Sequence, residues 1–321
     1  MIGPRSTKLP VVLALGGLYI VWGTTYLAIH VAIQTIPPFF LAACVFTLAG
    51  PLLIAIVAAT GGLSGGIPPL RHWRSALVIG IGVVFFGNGV LSWAEQYVAT
   101  GVAALVVATV PIWLALFARI FLGERLRALV VVGLGLGFAG LVILIAPTKG
   151  SAINLIGVGA MLLVALGWSA ASVYSKRAPL PANAFVAAGL QMFCGGLLTF
   201  VVALILGDVQ RFHLSHLTLS PVIAYLYLVG AGAVFGIGIF QWLVRNAPLS
   251  LVGTYAYVNP IVATILGVIL LGEHLSPRIL LAGAVIIAGV ALVVAGQAFD
   301  SPPAGLVSPS PDPIQEPVLT R

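Results

Sequence analysis

A few polar and aromatic side chains interrupt long apolar runs of this chain, and they are the groups that could recognise a solute. They are Trp22, Asn88, Trp168, Tyr255 and Asn259. Amides offer a donor and an acceptor, and indole and phenol rings offer flat walls with a polar edge, the usual mixture of a small-molecule pocket. Pro111 and Pro260 stand in two of the same runs. Each lacks an N–H and crowds the carbonyl four residues earlier, near Val107 and Ala256, which predicts a kink or hinge. In lipid a freed carbonyl must be satisfied inside the protein, so the kinks face the bundle or a cavity. Interhelical hydrogen bonds for the amides, core filling for the tryptophans and a plain packing kink for the prolines are the alternatives.

Three carboxylates call for separate treatment. Glu95 ends an apolar run, where an acid can relay protons or simply be solvated. Glu124 and Glu273 each follow a Leu-Gly pair. Glycine ends a helix there, and the acid is expected to cap the next helix through its free backbone donors, with Ser276-Pro277 reinforcing a start after Glu273. His213 and His216 lack a third ligand, so no metal site is expected. No phosphate-binding loop, nucleophile elbow or His-Glu-x-x-His pair occurs, so neither a cofactor nor catalysis is expected.

The elements that position these residues follow from composition. Charged residues are 7% of 321 positions and apolar residues 61%, whereas a soluble domain carries roughly 25% charge. The outer surface must therefore meet lipid. Uncharged apolar stretches run over 9–31, 38–60, 75–94, 96–118, 128–147, 152–175, 182–207, 217–244, 246–272 and 279–299. Each is long enough, at ~1.5 Å per residue, for a hydrocarbon core of ~30 Å. The expectation is an all-α integral membrane protein of ten transmembrane helices. The first stretch exceeds the usual apolar core of a signal peptide and is expected to be a retained helix.

Counted by alternation from a cytoplasmic N-terminus, the inner side holds Arg5, Lys8, Arg71, Arg74, Arg119, Arg125, Arg127, Lys176, Arg177 and Arg245. The outer side holds Lys149, Arg211 and Arg278. This positive-inside bias places both termini in the cytoplasm of a multi-pass protein of the cell (inner) membrane. The net charge of +7 thus reports orientation, and no nucleic-acid partner is expected. Residues 300–321, rich in proline, are expected to be a disordered cytoplasmic tail. Gly133 with Gly137, and Gly232 with Gly236, allow close helix approach, either within the chain or in a homodimer.

The chain matches itself at an offset of 149 residues: Phe86-Gly87-Asn88-Gly89 falls on Phe235-Gly236-Ile237-Gly238, Trp93 on Trp242, Pro111 on Pro260, Leu122-Gly123-Glu124 on Leu271-Gly272-Glu273, and Gly140 on Gly289. Nearer the start of each half, Trp22-Gly23-Thr24 corresponds to Trp168-Ser169-Ala170. Two units, 9–147 and 152–299, then hold five helices each. An odd number makes the second enter the membrane from the opposite side, giving inverted repeats with a site near the midplane. These halves, with Trp93-Ala94-Glu95-Gln96-Tyr97 and Gly101-Val102-Ala103-Ala104-Leu105, resemble the EamA family of the drug/metabolite transporter superfamily, in its YedA-like branch. The resemblance implies a ten-helix secondary transporter, with cytoplasmic termini, exporting small metabolites, amino acids or drugs. An intramembrane lipid-handling enzyme would need convergent acids or nucleophiles within the spans. A membrane scaffold or sensor would leave the inverted repeat unexplained.

Overall fold

The computed structural model describes residues 8–62, 68–146, 154–247, 252 and 254–298; the tail 300–321 lies outside them. Helices follow the apolar stretches: α1 (Lys8–Ala32), α2 (Pro38–Ala59), α3 (Leu70–Ala94), α4 (Thr100–Leu122), α5 (Ala128–Ile145), α6 (Leu155–Ser175), α7 (Ala184–Ile205), α8 (Leu219–Phe240, running on to Asn246), α9 (Tyr255–Leu271) and α10 (Pro277–Ala298). Among the described residues nine of these are long and apolar enough to cross a membrane, and α9 is a shorter apolar helix. The chain is a multi-pass, all-helical membrane protein.

Local chemistry sets the helix ends. Asn154 Oδ1 accepts from the amides of Ile156 and Gly157, and Asn183 Oδ1 from those of Phe185 and Val186, so both are N-caps. Gly123 and Gly272 close α4 and α9 in the left-handed conformation, with φ of +74° and +67°. The repeat shows here directly. The Glu124 amide bonds to Ala118 O at 3.3 Å, and the Glu273 amide to Gly267 O at 3.0 Å, the same pair 149 residues on. Several boundaries differ from expectation, the largest difference being the start of α9 at Tyr255 rather than 246. α3 begins at Leu70 and so carries Arg71 and Arg74 in its first turns, while residues 95–99 form a turn that delays α4 to Thr100.

α5 packs against α10 and α2 against α7 along their lengths. Gly133 and Gly137 belong to the first of these pairs: a β-carbon on Gly133 would lie 2.6 Å from Gly289 O. That stripe is therefore used for close helix approach inside the chain. Val131, Val132 and Val142 on α5, with Leu280 and Leu281 on α10, stay exposed, as a lipid-facing surface requires. The third helix of each half, α3 and α8, widens into a π-helical segment, Ile81–Val90 and Leu228–Phe235. Such segments are rare and occur often at functional sites.

Candidate substrate cavity

A cavity of about 140 Å³ lies between the two halves. Trp22, Asn88, Trp168, Tyr255 and Asn259, chosen from sequence for their chemistry, all line it, and so does Pro260. No charged side chain is among the described residues that line it.

The tryptophans are held by glycines of the opposite half. Trp168 lies on Gly87, where a β-carbon would be 2.6 Å from Cε3; Trp22 lies on Gly236, where one would be 2.5 Å from Nε1. Gly87 and Gly236 are repeat equivalents, as are Trp22 and Trp168. The contact is thus reciprocal between the halves. The Trp22 ring also meets Tyr255 edge-on, with centroids 5.1 Å apart, and Phe240 at 5.3 Å. These packed rings make one rigid wall.

The amides differ in their commitments. Asn88 Nδ2 donates to Val83 O at 2.9 Å, tying the side chain to its own widened helix. Asn259 is 8% exposed, and its Oδ1 has no hydrogen-bond partner. A buried acceptor left unpaired costs about 1–3 kcal/mol, so a donor from a solute would find it ready.

The prolines act differently from a pair of mid-helix kinks. Pro111 is the second residue of the second segment of a broken helix: α4 is interrupted at Ala108–Thr109 and resumes at Val110. Val107, Ala108 and Val110 line the cavity at that break, and Ser169 Oγ donates to Val110 O at 3.0 Å. Pro260 falls in the second turn of α9, not at its middle, and withholds the donor that Ala256 O would take in a regular helix. Ala256 also lines the cavity.

The three glutamates separate. Glu273 does not cap the helix that follows it; Ser276 Oγ accepts from the Ile279 amide there. Its carboxylate reaches the first turn of α4 in the other half, accepting from Thr100 N at 2.6 Å and Gly101 N at 3.1 Å. Glu124 caps no helix with its carboxylate and instead pairs with Lys176 at 2.9 Å, both side chains half-exposed. Glu95, in the turn after α3, is 3% exposed and both its oxygens lack a hydrogen-bond partner. Burial, and after it the charge of Glu273, holds its carboxyl well above the usual carboxylate range.

Thr25, Tyr26, Phe46 and Ser92 also line the cavity and were not singled out from sequence, and Ile237 lines it too. Signals existed: Thr25 and Tyr26 follow Trp22 by three and four positions, and Ser92 follows Asn88 by four, so each pair shares a helix face. Ile237 is the repeat equivalent of Asn88. Asp208 was missed altogether. It is 2% exposed, accepts from the Phe39 amide at 2.9 Å at the start of α2, and pairs with Arg211.

Comparison with known proteins agrees with this architecture. The chain is 38% identical over 291 residues, 90% of its length and 92% of the relative's, to the uncharacterized inner membrane transporter YedA of Escherichia coli strain K12. It is 30% identical over 286 residues, 85% of its length and 93% of the relative's, to the aromatic amino acid exporter YddG of Ancylobacter novellus. A solved crystal structure with 26% identity superposes at a TM-score of 0.62, covering 92% of this chain and 100% of that one. The profile of the EamA-like transporter family matches twice, over residues 9–146 and 155–295. Its two matches divide the chain where the internal repeat does, with the cavity between them, and the chain belongs to the EamA-like transporter family.

Proposed function

We propose that the protein is a secondary active transporter that exports a small neutral, zwitterionic or weakly apolar solute by alternating access, binding it in the cavity between its halves. One observation carries this reading: a cavity walled by Trp22, Trp168 and Tyr255, with no charged side chain among its described lining residues and the unpaired acceptor of Asn259 inside it. A permanent ion would lack a counter-charge there, whereas a solute donating an N–H or O–H beside an apolar ring would be satisfied. The volume accommodates roughly ten water-sized groups, about an amino acid. A relative carries the name aromatic amino acid exporter, which makes aromatic amino acids the first solutes to test.

Ten crossings and inverted halves are part of the proposal. Contacts between helix ends support them, because each joins two ends that alternation assigns to the same membrane face. On the side assigned outside, Phe39 meets Asp208, Thr100 meets Glu273, and Ala146 O accepts from Arg278. On the side assigned inside, Gly62 O accepts from Asn183, and Glu124 meets Lys176. The reciprocal tryptophan–glycine contacts support the two-fold relation, which lets such halves exchange roles across a midplane site.

The test is flux in everted membrane vesicles. Labelled neutral amino acids should accumulate in vesicles holding the protein and not in empty controls, and a protonophore should abolish the accumulation. Vesicles with and without the protein giving equal flux across the panel would oppose the reading.

A further inference from the structure

We propose that Glu273 and Glu95 form a proton-operated latch that shuts one end of the cavity between the two halves. The proposal rests on the transport reading above and adds to it which groups close the path and what releases them.

The Glu273 carboxylate is the fastening. It leaves the end of α9 and grips two backbone amides, Thr100 N and Gly101 N, at the start of α4 in the opposite half. Unpaired amides at a helix start hold a negative charge well. The fit is built in on both sides. A β-carbon on Gly267 would lie 2.4 Å from Glu273 Oε2, so the carboxylate folds back over a bare glycine. A β-carbon on Gly101 would lie 2.9 Å from Thr264 Oγ1, so α4 and α9 touch where the grip is made. The repeat-equivalent Glu124 lies half-exposed on Lys176 at the other end. The two ends thus differ: Glu273 grips the start of a helix of the opposite half, whereas Glu124 makes a half-exposed ion pair.

Glu95 supplies the release. It is buried five residues before Thr100, with no hydrogen-bond partner for either oxygen. The charged and titratable groups facing it are Glu273 and Tyr26; His274 and Arg278 follow Glu273 along the chain, with Arg278 donating to Ala146 O. While Glu95 carries a proton, the Glu273 carboxylate keeps its grip on the two amides. When that proton leaves, two carboxylates oppose each other in a buried space, and separation of α4 from α9 relieves the repulsion. The latch therefore closes on protonation and opens on proton loss, with the proton released to water at the opening end.

Thiol access to the cavity tests this without knowledge of the solute. Cys44 and Cys194 are replaced by serine, Ser92→Cys places a reporter in the cavity, and a membrane-impermeant maleimide is applied to right-side-out and everted vesicles. Rates are normalised to Leu214→Cys, an exposed site. From the latched face, labelling in the parent should rise about tenfold from a low to a high pH, a modest population shift. Glu273→Gln should label fast at both pH values, and Glu95→Gln slowly at both. Should Glu273→Gln fail to reach the membrane, Gly267→Ala keeps the charge but displaces the carboxylate, and should also label fast. Equal labelling of the parent, Glu95→Gln and Gly267→Ala at both pH values would overturn the latch. Absence of solute flux in vesicles whose labelling follows the expected pattern would instead count against the transport reading.

Discussion

The benzo ring of Trp168 rests on the bare backbone of Gly87, so closely that a β-carbon there would sit 2.6 Å from Cε3. Trp22 and Gly236 repeat the arrangement with the halves exchanged. Gly87→Ala should therefore push the indole into the cavity. Overpacking costs about 1–3 kcal/mol, against roughly 1 kcal/mol gained from better helix propensity. Gly135→Ala, which meets open space, keeps only the gain. Thermal unfolding in detergent should rank Gly135→Ala at or above the parent and Gly87→Ala below it. The opposite order would mean that the indole is not held by the glycine.

Asn259→Leu separates a binding role from a packing role. Removing a buried acceptor that has no partner should leave stability unchanged or raise it by up to about 1–3 kcal/mol. Solute flux should fall about tenfold, the loss of one hydrogen bond of about 1.4 kcal/mol. A variant that unfolds more easily yet transports normally would assign Asn259 to helix packing.

Asp208 is a structural contact outside the cavity. Its Oδ2 holds the Phe39 amide while Oδ1 meets Arg211, whose guanidinium side chain is 66% exposed. Asp208→Ala should cost about 1–2 kcal/mol for the lost cap, and Arg211→Ala under about 1 kcal/mol, as for an exposed ion pair. Urea or thermal unfolding of the two variants checks the ranking, and an equal loss in both would show that the ion pair carries the effect.

A reporter enzyme fused after Phe299 should be active in the cytoplasm, as the distribution of Lys and Arg requires. Activity only on the outer face would contradict both the orientation and the crossing number.

How legible this was from sequence depended on the range of the interaction. The spans were readable because lipid excludes charge, and the repeat because Pro111, Gly123 and Glu124 recur at one offset. The five lining residues were readable because polarity is scarce in these helices. The partners of Glu273 and Asp208 were not: each carboxylate caps a helix distant in sequence, and residue type alone cannot say which of many free helix starts an acid will meet. The break before Pro111 was also hidden, since a proline signals a lost hydrogen bond but not whether the helix bends or stops. The loss of Gly133 to an internal contact needed the position of Gly289.

The most direct test is transport by cavity variants of normal abundance. Aromatic amino acid accumulation should be measured in everted vesicles carrying the parent, Asn259→Leu or Trp168→Ala, with Gly135→Ala as a remote control. The account predicts that the parent and Gly135→Ala accumulate solute equally, and that both cavity variants, present in the membrane at normal levels, lose about tenfold or more. Parent-level accumulation by Asn259→Leu and Trp168→Ala together would show that the solute does not pass through this cavity.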